Sequence, residues 1–371
     1  MLSDFCFLFC NFVLYLCVKK YTMQEYSINI LQPEMNQTLS KNTVQTDLLG
    51  LSPEILLKWY DEMLLIRRFE EKCAQLYGMG KIGGFCHLYN GQEAIATGSI
   101  GAINPEDYVI TAYRDHGLAI SKGLEPRRIL AELLGKSTGT TKGKGGSMHL
   151  FSREKNFLGG HAIVGGHIPL AAGAAFASKY LNEKRVCLCF MGDGATNIGE
   201  FHEALNLAAL WKLPVIYIIE NNKYGMGTAV DRASAVDELH LKAAAYNMRN
   251  QVIEEGHNVL KVYHYVKAAV DHARKTYEPS LLEVQTFRYR GHSMSDPIHG
   301  HYRTKEEVEA QKKLDPITVM MEILLEANLA SADYFDSAEE RIKAIVDDCV
   351  AFTENSPEPP LDELYTDIYA E

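Results

Sequence analysis

Two short polar motifs each follow an apolar run, and their side chains are of the types that hold a divalent cation. The run 186–191 leads into Gly192-Asp193-Gly194, and the run 215–219 leads into Glu220-Asn221-Asn222. A carboxylate and an amide oxygen are hard ligands, which together with phosphate oxygens and water suit the octahedral shell of magnesium. The glycines beside the acid allow a phosphate to approach the backbone closely. A tight turn and a helix cap would use the same residues, so it is the pairing of the two motifs that favours a cation and phosphate site.

The segments around these motifs predict a doubly wound α/β fold with a mostly parallel sheet. Apolar runs without polar alternation recur and are separated by helical stretches, which is typical of buried parallel strands. Ligands of such sheets bind at the carboxyl ends of the strands, so one strand–helix–strand unit brings Asp193 and Asn222 to the same edge. The capping pair Asn197 and Glu200 predicts a helix amino terminus there, which favours an anion. The predicted strands are 108–111, 186–191, 215–219 and 281–284, and the predicted helices include 52–77, 126–134, 170–180, 199–211 and 259–276.

The charge of the chain is distributed unevenly over its 371 residues. The net charge is −11, yet residues 51–330 carry 32 acidic and 32 basic side chains, while residues 331–371 carry twelve acidic and two basic ones. No basic patch dominates, which argues against nucleic acid as a partner. We predict a flexible N-terminal extension over residues 1–46, one globular domain with both motifs over residues 47–330, and an acidic, solvated, helical and proline-rich C-terminal segment over residues 331–371.

The beginning of the chain argues against a membrane protein. The stretch Phe5–Val18 is strongly apolar, but its fourteen residues are short for a spanning helix. It has no basic leader and no cleavage site of small residues, and the first arginine in the chain is Arg67, so neither a signal peptide nor a mitochondrial transit peptide is indicated. The eight cysteines form no Cys-x-x-Cys pair, which favours reduced thiols. We expect a bacterial cytoplasmic protein, with membrane anchoring as the alternative.

Seven sequence blocks, in family order, resemble the alpha subunits of the thiamine diphosphate-dependent two-oxoacid dehydrogenases, in particular those that act on pyruvate. The similarity covers about residues 52–320, and several blocks in order are far more specific than any single one. The resemblance implies a thiamine diphosphate-binding fold for the globular domain, with thiamine diphosphate and Mg²⁺ as cofactors. The blocks are Gly84-Phe-Cys-His-Leu88, Tyr113-Arg-Asp-His-Gly117, Lys142-Gly-Lys-Gly-Gly-Ser-Met-His149, Ile163-Val-Gly165, Gly192-Asp-Gly194, Glu220-Asn-Asn-Lys-Tyr-Gly-Met-Gly227 and Tyr289-Arg-Gly-His-Ser-Met-Ser-Asp-Pro297.

The resemblance assigns roles to the residues of the two opening motifs. Asp193, Asn222 and the backbone carbonyl of Tyr224 would hold magnesium. The backbone of Gly194 and Ala195 would contact the diphosphate. The two motifs thus become the expected binding site for the charged end of the cofactor.

Four further positions complete the implied cofactor site. Tyr113 and Arg114 fall where the family contacts the diphosphate, and the fork of an arginine suits phosphate oxygens. The backbone of Ala162 and Val164 would pair with the aminopyrimidine ring. Related sequences usually have glycine in place of Ala162, and a backbone contact tolerates this change unless the position needs a positive φ.

His87 and His292 are the histidines that the resemblance implies on the substrate side, as catalytic residues. A lone histidine is more often a structural hydrogen-bonding group, but each of these lies in a matching block beside glycine. Their implied roles are binding of the oxoacid carboxylate or the cofactor phosphate, and proton handling during transfer to a lipoyl group.

The implied reaction is the oxidative decarboxylation of pyruvate with reductive acetylation of a lipoyl group on dihydrolipoamide acetyltransferase, which feeds acetyl-CoA formation. In this family the glutamate that activates the cofactor lies on a beta subunit, and no block here matches the domain that carries it. The resemblance therefore implies a heterotetramer of two alpha and two beta subunits. A branched-chain 2-oxoacid or acetoin dehydrogenase alpha subunit is the nearest alternative, and a non-catalytic assembly subunit is another. A P-loop hydrolase is excluded, because Leu130 stands where the motif ending in Gly135-Lys-Ser-Thr138 requires glycine.

Overall fold

The computed structural model describes residues 48–297 and 302–368, so the extension predicted over residues 1–46 lies outside the described residues. The predicted domain boundaries stay predictions. In the described part of the chain, no helix is both long and apolar enough to cross a membrane.

A parallel six-stranded sheet forms the centre of the described structure. The strands in chain order are β1 (Tyr108–Ala112), β2 (Phe157–His161), β3 (Cys187–Gly192), β4 (Val215–Asn221), the short β5 (Tyr224–Gly225) and β6 (Thr228–Ala229), β7 (Arg249–Ile253) and β8 (Ser280–Gln285). The order across the sheet is β2-β1-β3-β4-β8-β7, and every neighbouring pair is parallel, while β5 and β6 form a separate antiparallel pair. The predicted doubly wound, mostly parallel fold is confirmed.

Helices connect the strands. They are α1 (Pro53–Gly78), α2 (Glu93–Gly101), α3 (His116–Ser121), α4 (Pro126–Leu133), α5 (His167–Tyr180), α6 (Gly199–Trp211), α7 (Val230–Ala233), α8 (Val259–Thr276), α9 (Lys305–Lys312), α10 (Pro316–Glu326) and α11 (Ala332–Glu354). Four of the five helices named from the sequence begin within one residue of the predicted start, while the one predicted from residue 170 begins at His167. The helix amino terminus predicted at Asn197 and Glu200 is present, but its cap residue is Ile198 and no side chain makes a capping hydrogen bond. Proline occupies the first turn of α1, where its missing N–H costs no hydrogen bond. The side chain of Asn258 caps α8 by accepting from two backbone N–H groups of the first turn.

The sheet is buried on both faces, which explains why its strands are apolar without alternation. On β3, Leu188 and Phe190 join one hydrophobic cluster, whereas Cys187, Cys189 and Met191 join the cluster on the other side. Successive side chains of a strand point to opposite faces, so two separate cores require apolar residues at every position. The sheet is therefore packed on both sides, and it holds the loops at its carboxyl edge.

The acidic C-terminal segment has one buried face. Phe335, Ala338, Ile342 and Val346 lie on one side of α11 and are buried. The helix packs against α1 and α4, and Arg68 forms an ion pair with Glu339 across the α1 contact. Apolar residues recur at helical spacing among the charged ones and form the buried face. The solvation predicted from the acidity therefore applies only to the outer face of α11.

Candidate active site

The loops after β3 and β4 meet at one edge of the sheet. Gly192 pairs with Glu220 at the ends of these strands, so the two polar motifs begin side by side. A Cβ atom built on Gly225 would lie 3.6 Å from the Cα of Gly194 and 3.7 Å from Oδ2 of Asp193. The Asp193 carboxylate therefore lies against the backbone that follows Tyr224. Burial raises the pKa of Asp193 to about 6, and a cation beside it would favour the charged form.

Two of the predicted metal ligands converge on one positive group. Nη1 of Arg288 donates to Oδ1 of Asn222 at 3.2 Å and to the backbone oxygen of Tyr224 at 3.1 Å. Both oxygens therefore face the same point, and a positive charge is already favourable there. Together with the nearby carboxylate of Asp193, this oxygen set fits the hard cation that the resemblance implies. The structure thus brings Asp193, Asn222 and Tyr224 together as predicted ligands would be.

Arg288 is a site residue that the sequence reasoning did not single out. Its side chain is almost fully buried, and its second terminal nitrogen donates to the Tyr302 hydroxyl at 2.9 Å. It lies three residues beyond the end of β8, and its burial and contacts are visible only in the structure. Its guanidinium has the donor geometry that suits phosphate oxygens as well.

The two predicted catalytic histidines lie together with Tyr113. The ring centroids of His87 and His292 are 5.1 Å apart, and the Tyr113 ring lies 4.4 Å from the first and 5.5 Å from the second. Burial, with the positive charge of Arg114 as the next cause, lowers the pKa of His87 to about 2 and that of His292 to about 3. Both imidazoles are therefore neutral at physiological pH.

Each of these imidazoles keeps a nitrogen available for a ligand. The Nδ1 atoms of His87 and His292 are buried and have no hydrogen-bond partner within the described residues. Buried polar atoms are nearly always paired in native proteins, so a ligand or a water molecule would complete the pairing of these two nitrogens.

Arg114 ties the two histidine segments to each other. Its Nη1 donates to the backbone oxygen of Leu88 at 2.6 Å, and its Nη2 donates to that of His292 at 2.9 Å. Leu88 follows His87, so one guanidinium fixes both segments. Burial lowers the pKa of Arg114 to about 10, and the group remains positively charged. The predicted diphosphate contact of this arginine stays a prediction.

The segment Ala162–Val164 follows β2 at the same edge of the sheet, because β2, β1 and β3 are parallel neighbours. Val164 is 46% exposed and Ile163 is 77% exposed. Ala162 does not have a positive φ, so alanine replaces glycine there without backbone strain. The predicted backbone contact to the aminopyrimidine ring is sterically compatible with this residue.

A buried hydrogen-bond chain runs away from Asn222. Nδ2 of Asn222 donates to Oε1 of Gln92 at 3.1 Å, and Nε2 of Gln92 donates to Oε1 of Glu220 at 3.2 Å. The hydroxyl of Tyr89 donates to the same oxygen of Glu220. Burial raises the pKa of Glu220 to about 7. The sequence reasoning did not assign roles to Tyr89, Gln92 and Glu220, because the chain is formed by segments far apart in sequence.

Comparison of the chain with known proteins identifies its family. The dehydrogenase E1 component family matches residues 61–362 of the chain. Proteins named pyruvate dehydrogenase E1 component subunit alpha are similar over most of their length. The protein of Rickettsia bellii is 51% identical over 316 residues, which cover 85% of this chain and 96% of that protein. The protein of Rhizobium meliloti is 49% identical over 318 residues, which cover 85% of this chain and 90% of that protein. The chain therefore belongs to the dehydrogenase E1 component family.

Proposed function

We propose that this chain is the alpha subunit of a pyruvate dehydrogenase. With a partner subunit it catalyses the oxidative decarboxylation of pyruvate and the reductive acetylation of a lipoyl group on dihydrolipoamide acetyltransferase. The observation that carries the proposal is the convergence of Asp193, Asn222 and the Tyr224 carbonyl beside two neutral histidines with unpaired nitrogens. The names of the relatives support pyruvate as the substrate.

The proposed cofactors are thiamine diphosphate and Mg²⁺. Asp193, Asn222 and the carbonyl of Tyr224 would hold the metal, and the backbone of Gly194 and Ala195 would contact the diphosphate. When bound, thiamine diphosphate supplies the electron sink that decarboxylation of a 2-oxoacid requires. The chain's own contribution at this end of the site is a pre-formed set of oxygen ligands and buried positive charge.

The remaining predicted site residues bind and orient the reactants. Neutral His87 and His292 can each accept a hydrogen bond through an unpaired nitrogen, or donate one to a carboxylate or phosphate oxygen. The Tyr113 ring packs against both of them. The Ala162–Val164 backbone would pair with the aminopyrimidine ring.

A partner subunit is supported by an exposed apolar face of α5. Pro169, Leu170, Gly173, Phe176 and Tyr180 are all exposed on one side of this helix, where soluble proteins normally present polar residues. Leu170 is 53% exposed and Tyr180 is 80% exposed. A contiguous exposed apolar face indicates an interaction site. We propose a heterotetramer of two alpha and two beta subunits in the bacterial cytoplasm, with the beta subunit supplying the glutamate that activates the cofactor.

The test is a comparison of the isolated chain with the chain assembled with its beta subunit. We expect rapid decarboxylation of pyruvate only by the assembled enzyme, and slower turnover of 2-oxoisovalerate, which has a larger side chain. Substantial pyruvate turnover by the isolated chain would contradict the proposed division of labour. Preference for 2-oxoisovalerate would contradict the proposed substrate.

A further inference from the structure

We propose that Glu220 and Gln92 are positioning residues that fix the orientation of the Asn222 amide, so that its oxygen and not its nitrogen faces the cation site. The inference rests on the proposed function, because it concerns the metal ligand of that site. It follows from the direction of each hydrogen bond in the buried chain that runs from Glu220 to Asn222.

An asparagine side chain has two ends of nearly the same shape and opposite polarity. The oxygen of Asn222 would bind a cation, but a half-turn of the amide would present an NH₂ group instead and remove the ligand. The shape of the surroundings alone does not distinguish these orientations. An asparagine that binds a metal therefore needs a hydrogen-bond partner that is compatible with only one of the two amide orientations.

Glu220 provides this polarity at the other end of the chain. A carboxylate oxygen can only accept, so the end of the Gln92 amide that lies 3.2 Å from Oε1 of Glu220 is its NH₂ group. The Gln92 oxygen is then turned towards Asn222 and accepts from its Nδ2 at 3.1 Å. Oδ1 of Asn222 must consequently point to the opposite side, where Arg288 and the Tyr224 carbonyl lie.

Burial makes this constraint strict. Gln92 is 1% exposed, while Glu220 and Asn222 are 5% and 6% exposed. If Gln92 were reversed, its oxygen would face the Glu220 oxygen, and its NH₂ group would face that of Asn222. Water has little access to satisfy such a mismatch, so the chain has one favourable polarity. Tyr89, which is fully buried, holds the Glu220 oxygen in place through its hydroxyl.

The preceding residue, Asn221 at the end of β4, offers a matched comparison. Nδ2 of Asn221 donates to Oε1 of Glu283 at 2.7 Å, and its Oδ1 accepts from the backbone of Lys223 at 3.1 Å. Glu283 is as well buried as Glu220, but it orients an amide that is not among the predicted metal ligands. Removing the Glu283 carboxylate therefore costs a buried acceptor without affecting the polarity of Asn222.

The test first strips the assembled enzyme of cofactor and then adds saturating thiamine diphosphate. Calorimetric titration with Mg²⁺ gives the dissociation constant of the metal. Partners that orient metal ligands contribute about 10- to 100-fold in affinity, so we expect Glu220→Met and Gln92→Met to weaken Mg²⁺ binding by that range. Glu220→Gln presents an NH₂ group as well as an oxygen and no longer enforces one direction, so we expect an Mg²⁺ affinity between those of Glu220→Met and the wild type. Glu283→Met is the control, with Mg²⁺ affinity as in the wild type.

The outcomes separate the inference from the proposed function. Wild-type Mg²⁺ affinity in both methionine variants overturns the inference and leaves the proposed function intact. If Glu220→Met fails to fold, as judged by its melting curve, Gln92→Met carries the same test. Absence of Mg²⁺-dependent thiamine diphosphate binding in the wild type overturns the proposed function, and the inference with it.

Discussion

At the scale of single residues, the environment of the histidines decides their chemistry. The motifs single out His87 and His292, but only the packing around Tyr113 and Arg114 shows that both imidazoles are held neutral. Burial disfavours the charged form, and the nearby guanidinium adds to this effect. A neutral imidazole can both donate and accept a hydrogen bond, which is the property required of a group that binds substrate and handles a proton.

The lowered pKa of His87 makes the folded state sensitive to acid. Its pKa is about 2 in the fold and near the ordinary 6.5 in the unfolded chain, so below pH 6.5 only the unfolded chain takes up this proton. The contribution of neutral His87 to the free energy of unfolding is fully present above pH 6.5, and it is lost progressively as the pH falls below that value. Below about pH 6 we expect the free energy of unfolding of His87→Gln to fall less steeply than that of the wild type, by about 1.4 kcal/mol per pH unit. Urea unfolding of the cofactor-free chain between about pH 7 and pH 5 measures the difference.

The control for this measurement is His264→Gln, because the His264 side chain is exposed. We expect this variant to lose stability with falling pH as steeply as the wild type does. If the free energy of unfolding fell equally steeply with pH in the wild type, His87→Gln and His264→Gln, His87 would not be held neutral by burial.

Much of the proposed site follows from local motifs, because its proposed ligands belong to short segments with recognisable spacing. Asp193, Asn222, His87 and His292 are examples. Arg288 and Gln92 were missed because their roles come from contacts across the fold: Arg288 lies 66 positions from Asn222, and Gln92 lies 130 positions from it. Such contacts leave no spacing pattern in the sequence.

At the scale of secondary-structure elements, a glycine-rich loop is organised by one buried carboxylate. Glu132, near the end of α4, accepts from the backbone N–H groups of Thr141, Gly143, Gly145 and Gly146 at 2.8, 2.9, 2.7 and 3.2 Å. The sequence showed this loop only as a block that resembles the family. The structure shows that its backbone amides are paired internally, by an acid from a different element.

Removal of the Glu132 charge should loosen this loop. Glutamine in its place would turn an NH₂ group towards backbone N–H donors, so we expect Glu132→Gln to lower the free energy of unfolding by about 1 to 3 kcal/mol. Glu125→Gln, an exposed position at the start of the same helix, should change it by less than about 0.5 kcal/mol. Urea denaturation measures both values, and equal stability of the two variants would contradict the role given to Glu132.

At the scale of the whole molecule, the four central strands β1, β3, β4 and β8 could be predicted, whereas the edge strands β2 and β7 and the surfaces could not. Apolar runs of strand length indicate a doubly buried sheet whatever the order of its strands. The outward or inward direction of a helix face depends on which neighbours cover it. The acidic residues of α11 suggested a solvated segment, although one face of this helix is buried. The apolar residues of α5 suggested burial, although Leu170 and Phe176 are exposed.

Gly173 gives the sharpest test of assembly through α5. It lies in the middle of the helix, it is exposed, and a Cβ atom built there would have none of the described residues within 4 Å. Gly173→Leu should therefore keep the isolated chain folded, with stability raised by up to about 1 kcal/mol from better helix propensity. We expect it to prevent assembly with the beta subunit, because the added side chain would stand where the partner approaches.

Size-exclusion chromatography of the mixed subunits and thermal melting of the isolated chain check these two effects separately. Gly78→Leu is the matched control, since Gly78 is also exposed in a helix with open space around it. Normal assembly of Gly173→Leu would contradict the use of this face as the subunit interface.

The central claim is that the carboxyl ends of β3 and β4 hold thiamine diphosphate through a cation bound by Asp193. The most direct measurement is calorimetric titration of thiamine diphosphate into the assembled enzyme in the presence of Mg²⁺. We predict that Asp193→Ala weakens binding by more than about 100-fold, because a hard cation loses its charged ligand. Asp271→Ala, which removes an exposed carboxylate on α8, should bind as the wild type does. Unchanged affinity in Asp193→Ala would contradict the account.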